Sequence, residues 1–296
     1  MSQRNATELN ALLQLLDDPD EEVYRQVEQR LISYGPAIIP ALEKAWENAT
    51  ADYSARRIES VIHILHRNRI GQELQRWYAA GSDDLLEAAL ILSRYRFMNQ
   101  NERRLRSILL ELADQIGMEF SYQMPPLEQI SIFNHVLYDI FSFRSVPLDA
   151  EHERFTYLKE ALESRRATPV LMGIIYLILA RTLQLPLHGV LLPQHLVISY
   201  HKGLISPTDP PVRLRTSILF YLNPAYRGTV FQKEALEAIL RKVNVKPLPK
   251  HFMPATTGQI VVALMDQMIL GAQLVHDEDR VEDLSSLRAA LVADQE

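Results

Sequence analysis

Residues 168–201 read TPVLMGIIYLILARTLQLPLHGVLLPQHLVISYH. From Pro169 to Leu183 the stretch is apolar on nearly every side, with Arg181 its sole charge. Thr168-Pro169 is a helix-start signal, because the hydroxyl residue can cap free N–H groups and proline is tolerated in a first turn. A helix apolar all round belongs in the middle of a core. From Leu187 the apolar period drops to two. Val190-Leu191-Leu192, then His195 to His201, then Thr216 to Leu222 read as strands, the last two separated by the proline loop SPTDPP at 206–211. A buried helix laid on a small antiparallel sheet is an α+β arrangement.

The flanking residues read as helices. Pro125-Pro126 breaks the chain, and Pro126 to Phe141 follows with Ile130, Phe133, Leu137 and Ile140 on one stripe. Further helices are expected at Glu153 to Arg165, Gln232 to Val243, Gly258 to Val275 and Val281 to Val292, with Lys246-Pro247-Leu248-Pro249-Lys250 as a linker. Toward the N-terminus, Leu9, Leu12, Leu13 and Leu16 form one stripe and Val23, Val27, Leu31 and Ile32 a second. Ile39, Leu42 and Trp46 form a third. Asp17-Asp18-Pro19-Asp20 and Gly35-Pro36 punctuate them. The string LLQLLDDPDEEVYRQVEQRLISYGPAIIPALEKAW, residues 12–46, resembles a HEAT-type helical repeat. Later units, at Ile58 to Ile70 and Leu85 to Tyr95, keep the helical period without its turn chemistry, so a short irregular solenoid is expected. The fold class is therefore mainly α with α+β: a HEAT-like helical domain at 1–120, a mixed domain with a small antiparallel sheet at 121–245, and a linker with a C-terminal helical hairpin at 246–296.

Two absences in composition remove whole classes of function. The 296 residues contain no cysteine, which excludes disulfides, thiolate zinc, iron–sulfur clusters and a cysteine nucleophile. Of the ten glycines no two lie closer than ten residues, so the Gly-rich turns of Rossmann and P-loop nucleotide sites are missing in their usual form. Hydrophobic residues make up 47% and charged residues 23%, enough for a real core. The most apolar uncharged run, Ala167 to Ala180, is shorter than the ~20 residues that span a bilayer. Thr182 to His201 also lacks charges but carries Pro186 and Pro193, so no membrane span is expected. Met1 to Asn5 lead into a charged segment without an apolar signal core, and a cytoplasmic location is the default. A net charge of −6 argues against general nucleic-acid affinity. The cluster Arg103-Arg104-Leu105-Arg106 reads as a solvated helix face.

The order of a buried helix, a strand beginning at His195 and a strand ending at Asn223-Pro224 resembles the transglutaminase-like (papain-like) fold, specifically its SirB-type branch. The pieces that carry the resemblance are Leu85 to Tyr95, Phe133 to Phe143, the basic-ended Tyr157 to Arg166, Thr168-Pro169, Leu185 to Val190, Leu192 to Leu196 and Leu222 to Pro224. Catalytic members of that superfamily use Cys, His and Asp. A thiolate at a helix N-terminus attacks, a histidine on the adjacent strand moves the proton, and an acid fixes the imidazole tautomer. By the resemblance, His195 stands at the histidine, Asn223 at the acid and Leu171 at the nucleophile, where the branch usually has Ser and active transglutaminases Cys. Ala167, Ser142 and Gln194 stand where the family tends to have Gly, so altered backbone turns are expected there.

Leucine has no nucleophilic atom, so the triad positions Leu171, His195 and Asn223 read as degenerate. The resemblance then implies a non-catalytic protein that binds a protein or peptide, with no metal and no cofactor. The alternative is a hydrolase or acyltransferase with His195 as base and a non-cysteine nucleophile or water, for which Thr168, Ser199, Tyr226 or a loop acid would have to face the His195 ring. Other candidates have plain structural readings: Thr168 as a helix cap, Asn134 as a backbone partner, Ser206 and Asp209 as solvated loop. His63 and His66, with Glu59 one turn earlier, have metal-ligand spacing but sit on a solenoid-type helix. Neither oligomeric state nor partner identity is legible.

Overall fold

The Asp-rich turn after residue 16 acts as its chemistry implies. α1 (Gln3–Leu15) ends, and α2 (Glu21–Ser33) begins at Asp20, whose carboxylate accepts from the Glu22 N–H at 2.8 Å. Pro36 opens a 3-10 turn that runs into α3 (Ile39–Glu47), and α4 (Asp52–Ala79) follows. The computed structural model describes residues 3–48, 52–81, 83–121, 123–193, 195–205, 209–242 and 244–293. It forms two compact units, Met1–Arg76 and Trp77–Glu296.

In the first unit the predicted stripes meet: Leu9, Leu16, Val27, Leu31, Ile38, Leu42, Ile58, Val61 and Leu65 form one core. Trp46, expected on the third stripe, is exposed instead, its indole N–H donating to Glu59 Oε1 at 2.9 Å. A large ring with a polar edge gains a partner at the surface that the core lacks. Arg57 of α4 is buried. Its guanidinium donates to the Leu16 carbonyl at 2.9 Å, the Asp18 carbonyl at 2.7 Å and Glu21 Oε1 at 2.8 Å, and it lies 4.0 Å from the centres of both the Tyr24 and Tyr53 rings. It thus supplies the donors that the end of α1 and the turn after it need.

The second unit opens with α5 (Leu85–Arg94), α6 (Glu102–Glu119) and α7 (Pro126–Asn134). A π-helical turn continues α7 through His135–Ile140, closed by the Phe141 N–H on the Val136 carbonyl. Five-residue spacing moves every later side chain round the axis. Tyr138 is buried in consequence, and Ile140, expected on the buried stripe, is exposed. Next come β1 (Arg144–Ser145), a 3-10 turn at Glu153–Thr156, α8 (Leu158–Ser164) and β2 (Arg166–Ala167). The break at Tyr157, where the backbone turns extended (φ −100°, ψ 132°), divides what the sequence reads as one helix over 153–165. β1 and β2 form a small parallel pair, Arg144 opposite Arg166.

α9 (Pro169–Thr182) is the central helix, every side chain from Val170 to Ala180 buried. β3 (Leu187–Leu192) and β4 (His195–His201) follow, then α10 (Pro211–Thr216), β5 (Ile218–Asn223), a 3-10 turn at Pro224–Tyr226, β6 (Thr229–Phe231) and α11 (Lys233–Lys242). The strand expected from Thr216 therefore starts two residues later, behind a short helix. The sheet is an antiparallel meander, β3-β4-β5-β6. One face, through Leu196, meets α9; the other, through Val190, Val197 and Tyr221, packs on Leu236 and Leu240 of α11. α12 (Thr257–Leu274) starts with a capping box at Thr256 and Gln259, and packs with α13 (Glu278–Ala293). α5 and α6, which the sequence groups with the N-terminal helices, pack against α8 and α9 in this unit. Among the described residues no helix is long and apolar enough to cross a membrane.

α9 and β4 approach closely because residue 173 is glycine: a Cβ there would stand 2.8 Å from Leu196 Cδ2 and 2.9 Å from its Cγ. Leu196 is itself fully buried and has little room to yield. Gly173→Ala is expected to cost about 1–3 kcal/mol by overpacking. Gly203→Ala, with open space around it, should leave stability within about 0.5 kcal/mol. Urea unfolding of the two variants checks the contrast; equal effects would contradict the close approach.

Candidate functional site

The site is organised by a turn that a half-buried asparagine and a buried tyrosine hold from behind. Asn134, at the end of α7, donates from Nδ2 to the Gly228 carbonyl at 3.1 Å and accepts the Tyr176 hydroxyl at 3.0 Å. The Tyr176 ring stacks on Phe133 with centroids 4.0 Å apart. The π-turn brings Tyr138 to the Pro224 carbonyl, where its hydroxyl donates at 2.7 Å, and Asp139 pairs with Arg227. Burial raises the pKa of both Tyr138 and Tyr176, so they remain neutral donors. Asn134 thus bonds backbone, as its sequence context implied. Asn223 ends β5 just before this turn, and its Oδ1 accepts the Ala225 N–H at 3.0 Å, capping the 3-10 turn.

His195 begins β4 at the other side. It is exposed, and among the described residues its ring has one hydrogen-bonding partner, the Pro193 carbonyl 3.1 Å from Nδ1. Leu196 faces α9, so His195 and Val197 take the opposite face, where the register sets Asn223 diagonally across from His195. A groove of about 690 Å³ on that face is lined by His195, Asn223, Tyr226, Phe231 and Ile239. A second groove, about 1070 Å³, opens at the N-terminal end of α9 between Pro147, Pro169, Val170, His195 and the α12 residues Val262 and Asp266. His195 and Tyr226 border both. Leu171 lines neither, being wholly enclosed in the core. Thr168 occupies the N-cap position of α9, but its side chain caps nothing; Oγ1 is buried without a partner among the described residues. Neither Thr168, Ser199 nor Tyr226 bonds the His195 ring.

Ser142 has φ +58°, a left-handed conformation that favours glycine. A serine held there costs about 1–2 kcal/mol. Gln194 lies outside the described residues, as does Ser206. Asp209 accepts from Arg213 at 2.8 Å. Glu59 is engaged by Trp46, and among the described residues no group of three His, Asp or Glu side chains could hold a metal ion. Arg106 pairs with Glu87, while Arg103 and Arg104 are exposed on α6.

Sequence reasoning missed a buried polar chain on the sheet. His201 Nε2 lies 2.9 Å from Ser199 Oγ and its Nδ1 2.7 Å from Ser217 Oγ. The two hydroxyls in turn reach the His188 and Leu214 carbonyls at 3.2 and 3.0 Å. The His188 ring meets His201 edge-on at 5.1 Å, and its Nε2 is buried without a partner among the described residues. Desolvation pushes both imidazoles down to about 4, helped by Arg181 at His188 and by His188 at His201. The alternation Ser199-x-His201 was legible; its union with residues 188 and 217 depends on register. With Ser199 and His201 fully enclosed, this is a structural network rather than a site open to substrate.

Part of the chain is similar to F-box only protein 21: it is 33% identical over 86 residues to the protein of Mus musculus and 31% identical over 86 residues to that of Homo sapiens. The matched segment is 29% of this chain but only 13% of each of those proteins. No solved structure matches. The family model that matches is described as the transglutaminase-like superfamily, and it runs over residues 103–266, from α6 through the central helix, the whole sheet and much of α12. That is more than half of the chain, which therefore belongs to the transglutaminase-like superfamily.

Proposed function

We propose that this transglutaminase-like domain does not catalyse acyl transfer and instead binds a protein or peptide segment in the groove at the N-terminal end of α9. The observation that carries this reading is Leu171: the position matching the nucleophile holds a hydrocarbon side chain sunk into the core, and the groove presents Pro169 and Val170 instead. The remaining pair is not assembled for proton transfer either. His195 bonds its own turn, and the Asn223 carbonyl oxygen is taken by the Ala225 N–H. A base without a nucleophile and an orienter turned to a capping role supply little to acyl chemistry. A walled, largely apolar groove suits an extended chain. The SirB-type character of the pieces from Leu85 to Pro224 and a HEAT-like role for the N-terminal helices as a second protein-binding surface belong to the same proposal.

Ammonia release from a glutamine peptide, with and without an amine acceptor, and hydrolysis of an activated ester test it on the intact protein. No turnover above the uncatalysed rate is expected. Leu171→Cys is expected to stay inactive, because the new thiol would be enclosed where Leu171 is. Turnover in the wild type that disappears on His195→Ala would overturn the proposal and favour an enzyme with His195 as base.

A further inference from the structure

The parallel pair β1–β2 places Arg144 directly opposite Arg166, two like charges on one face. Such a pairing opposes sheet formation. Arg165 precedes Arg166 in a left-handed conformation with its guanidinium over Phe141, and Arg154 and Arg166 both lie over the Phe155 ring, at 4.9 and 6.0 Å. All four arginines are exposed. Among the described residues Arg144, Arg165 and Arg166 make no ion pair. Of the carboxylates near them in sequence, Glu163 is paired with Lys159 at 3.1 Å, Asp149 with His152 at 2.8 Å, Asp139 with Arg227 and Glu153 with Arg96 and Arg280, and Glu160 lies 3.9 Å from Arg154; Glu151 is in no ion pair among the described residues. A chain of net charge −6 thus concentrates uncompensated positive charge on one edge.

Both strands run from this edge into the α9 groove. Three residues beyond Arg144 the chain reaches Pro147, and three beyond Arg166 it reaches Pro169, each lining the groove. Three residues of chain reach at most about 10 Å. Building on the groove-binding reading above, we infer that the partner segment is an acidic peptide, its apolar part lying in the α9 groove and its carboxylates, about three residues away, meeting Arg144, Arg165 and Arg166. Three arginines without an ion pair among the described residues, a few residues of chain from an apolar groove on an acidic protein, suit a short acidic segment better than a long polyanion.

The test uses fluorescence anisotropy of the full chain with labelled eight-residue peptides. One set has three glutamates joined to five apolar residues, with the acidic block at either end; a second set has glutamine in place of glutamate. One glutamate peptide should bind about tenfold tighter than its glutamine counterpart at low salt. The ratio should fall toward one at 0.5 M salt and in the double variant Arg144→Gln, Arg166→Gln, whose exposed positions leave the fold unchanged by circular dichroism. Equal affinity of the two sets would overturn the inference, as would a ratio that survives in the double variant, or a single-stranded oligonucleotide of matched charge binding as tightly. Val262→Ser, on the wall of the α9 groove alone, scores the groove separately. Glutamine-peptide binding weakened by that substitution, with a ratio of one, leaves the groove reading standing and removes the acidic partner. Binding by neither set removes both.

Discussion

Gly228→Ala is expected to cost about 3–5 kcal/mol, one of the two largest effects here. Residue 228 has φ +65°, where alanine is strained by about 1–2 kcal/mol. An added Cβ would also stand 2.0 Å from Asn134 Oδ1, far inside contact. Asn134 would have to swing away, leaving the Tyr176 hydroxyl and the Gly228 carbonyl without their partners. A buried polar group so orphaned costs about 1–3 kcal/mol. Asn134→Ala alone should lose about 2 kcal/mol for the same bonds, and the double variant should fall well short of the sum, because one clash and one set of bonds are shared. Urea unfolding at neutral pH measures all three. A Gly228→Ala protein within 1 kcal/mol of wild type, or strict additivity, would contradict this account of the turn.

Acidification should destabilise the second unit through His188 and His201. In the unfolded chain each imidazole takes up its proton near pH 6.5, whereas in the folded protein each resists until about 4. Between these values unfolding binds protons, so stability is fully present above about pH 6.5 and is lost as the pH falls through 6 and 5 toward 4. The gap corresponds to about 3 kcal/mol for the enclosed His201, and to less for His188, which is partly exposed. The stability of wild type measured from pH 7.5 to 4 should slope steeply. Replacing both histidines, His188→Gln and His201→Gln, should flatten that interval while lowering stability at neutral pH through the lost bonds to Ser199 and Ser217. A wild-type profile as flat as the variant's would show that the buried rings are not what responds.

The central helix and the sheet were legible from 168–201 because burial on all sides and a change of period leave a direct mark on composition. Trp46 and Ile140 were misplaced for two different reasons. Trp46 finds a hydrogen-bonding partner at the surface, and one π-helical turn carries Ile140 out of the buried stripe that Leu137 keeps. Neither leaves a trace in spacing. His195, Asn223 and Tyr226 line one groove, on the sheet face away from α9, while Leu171 lines none. What order could not supply was parity: Leu196 faces the helix, so His195 does not. The polar chain from His188 to Ser217 was illegible for the same reason, since it exists only once β3, β4 and the residues before β5 are in register.

Arg57 bears on the order of events when the first unit assembles. The carbonyls it satisfies belong to Leu16 and Asp18, residues 41 and 39 positions earlier in the chain. The turn between the first two helices therefore closes its hydrogen bonds with a donor that arrives late, after more than half of the unit's length has been laid down. In a fragment that stops short of α4 those two carbonyls would turn to water, and the bend would lose the side chain that ties it to the rest of the unit. A fragment extended just past Arg57 recovers the donor, and with it the one residue that clasps the bend between helices already packed through Leu9, Leu16, Val27 and Leu31.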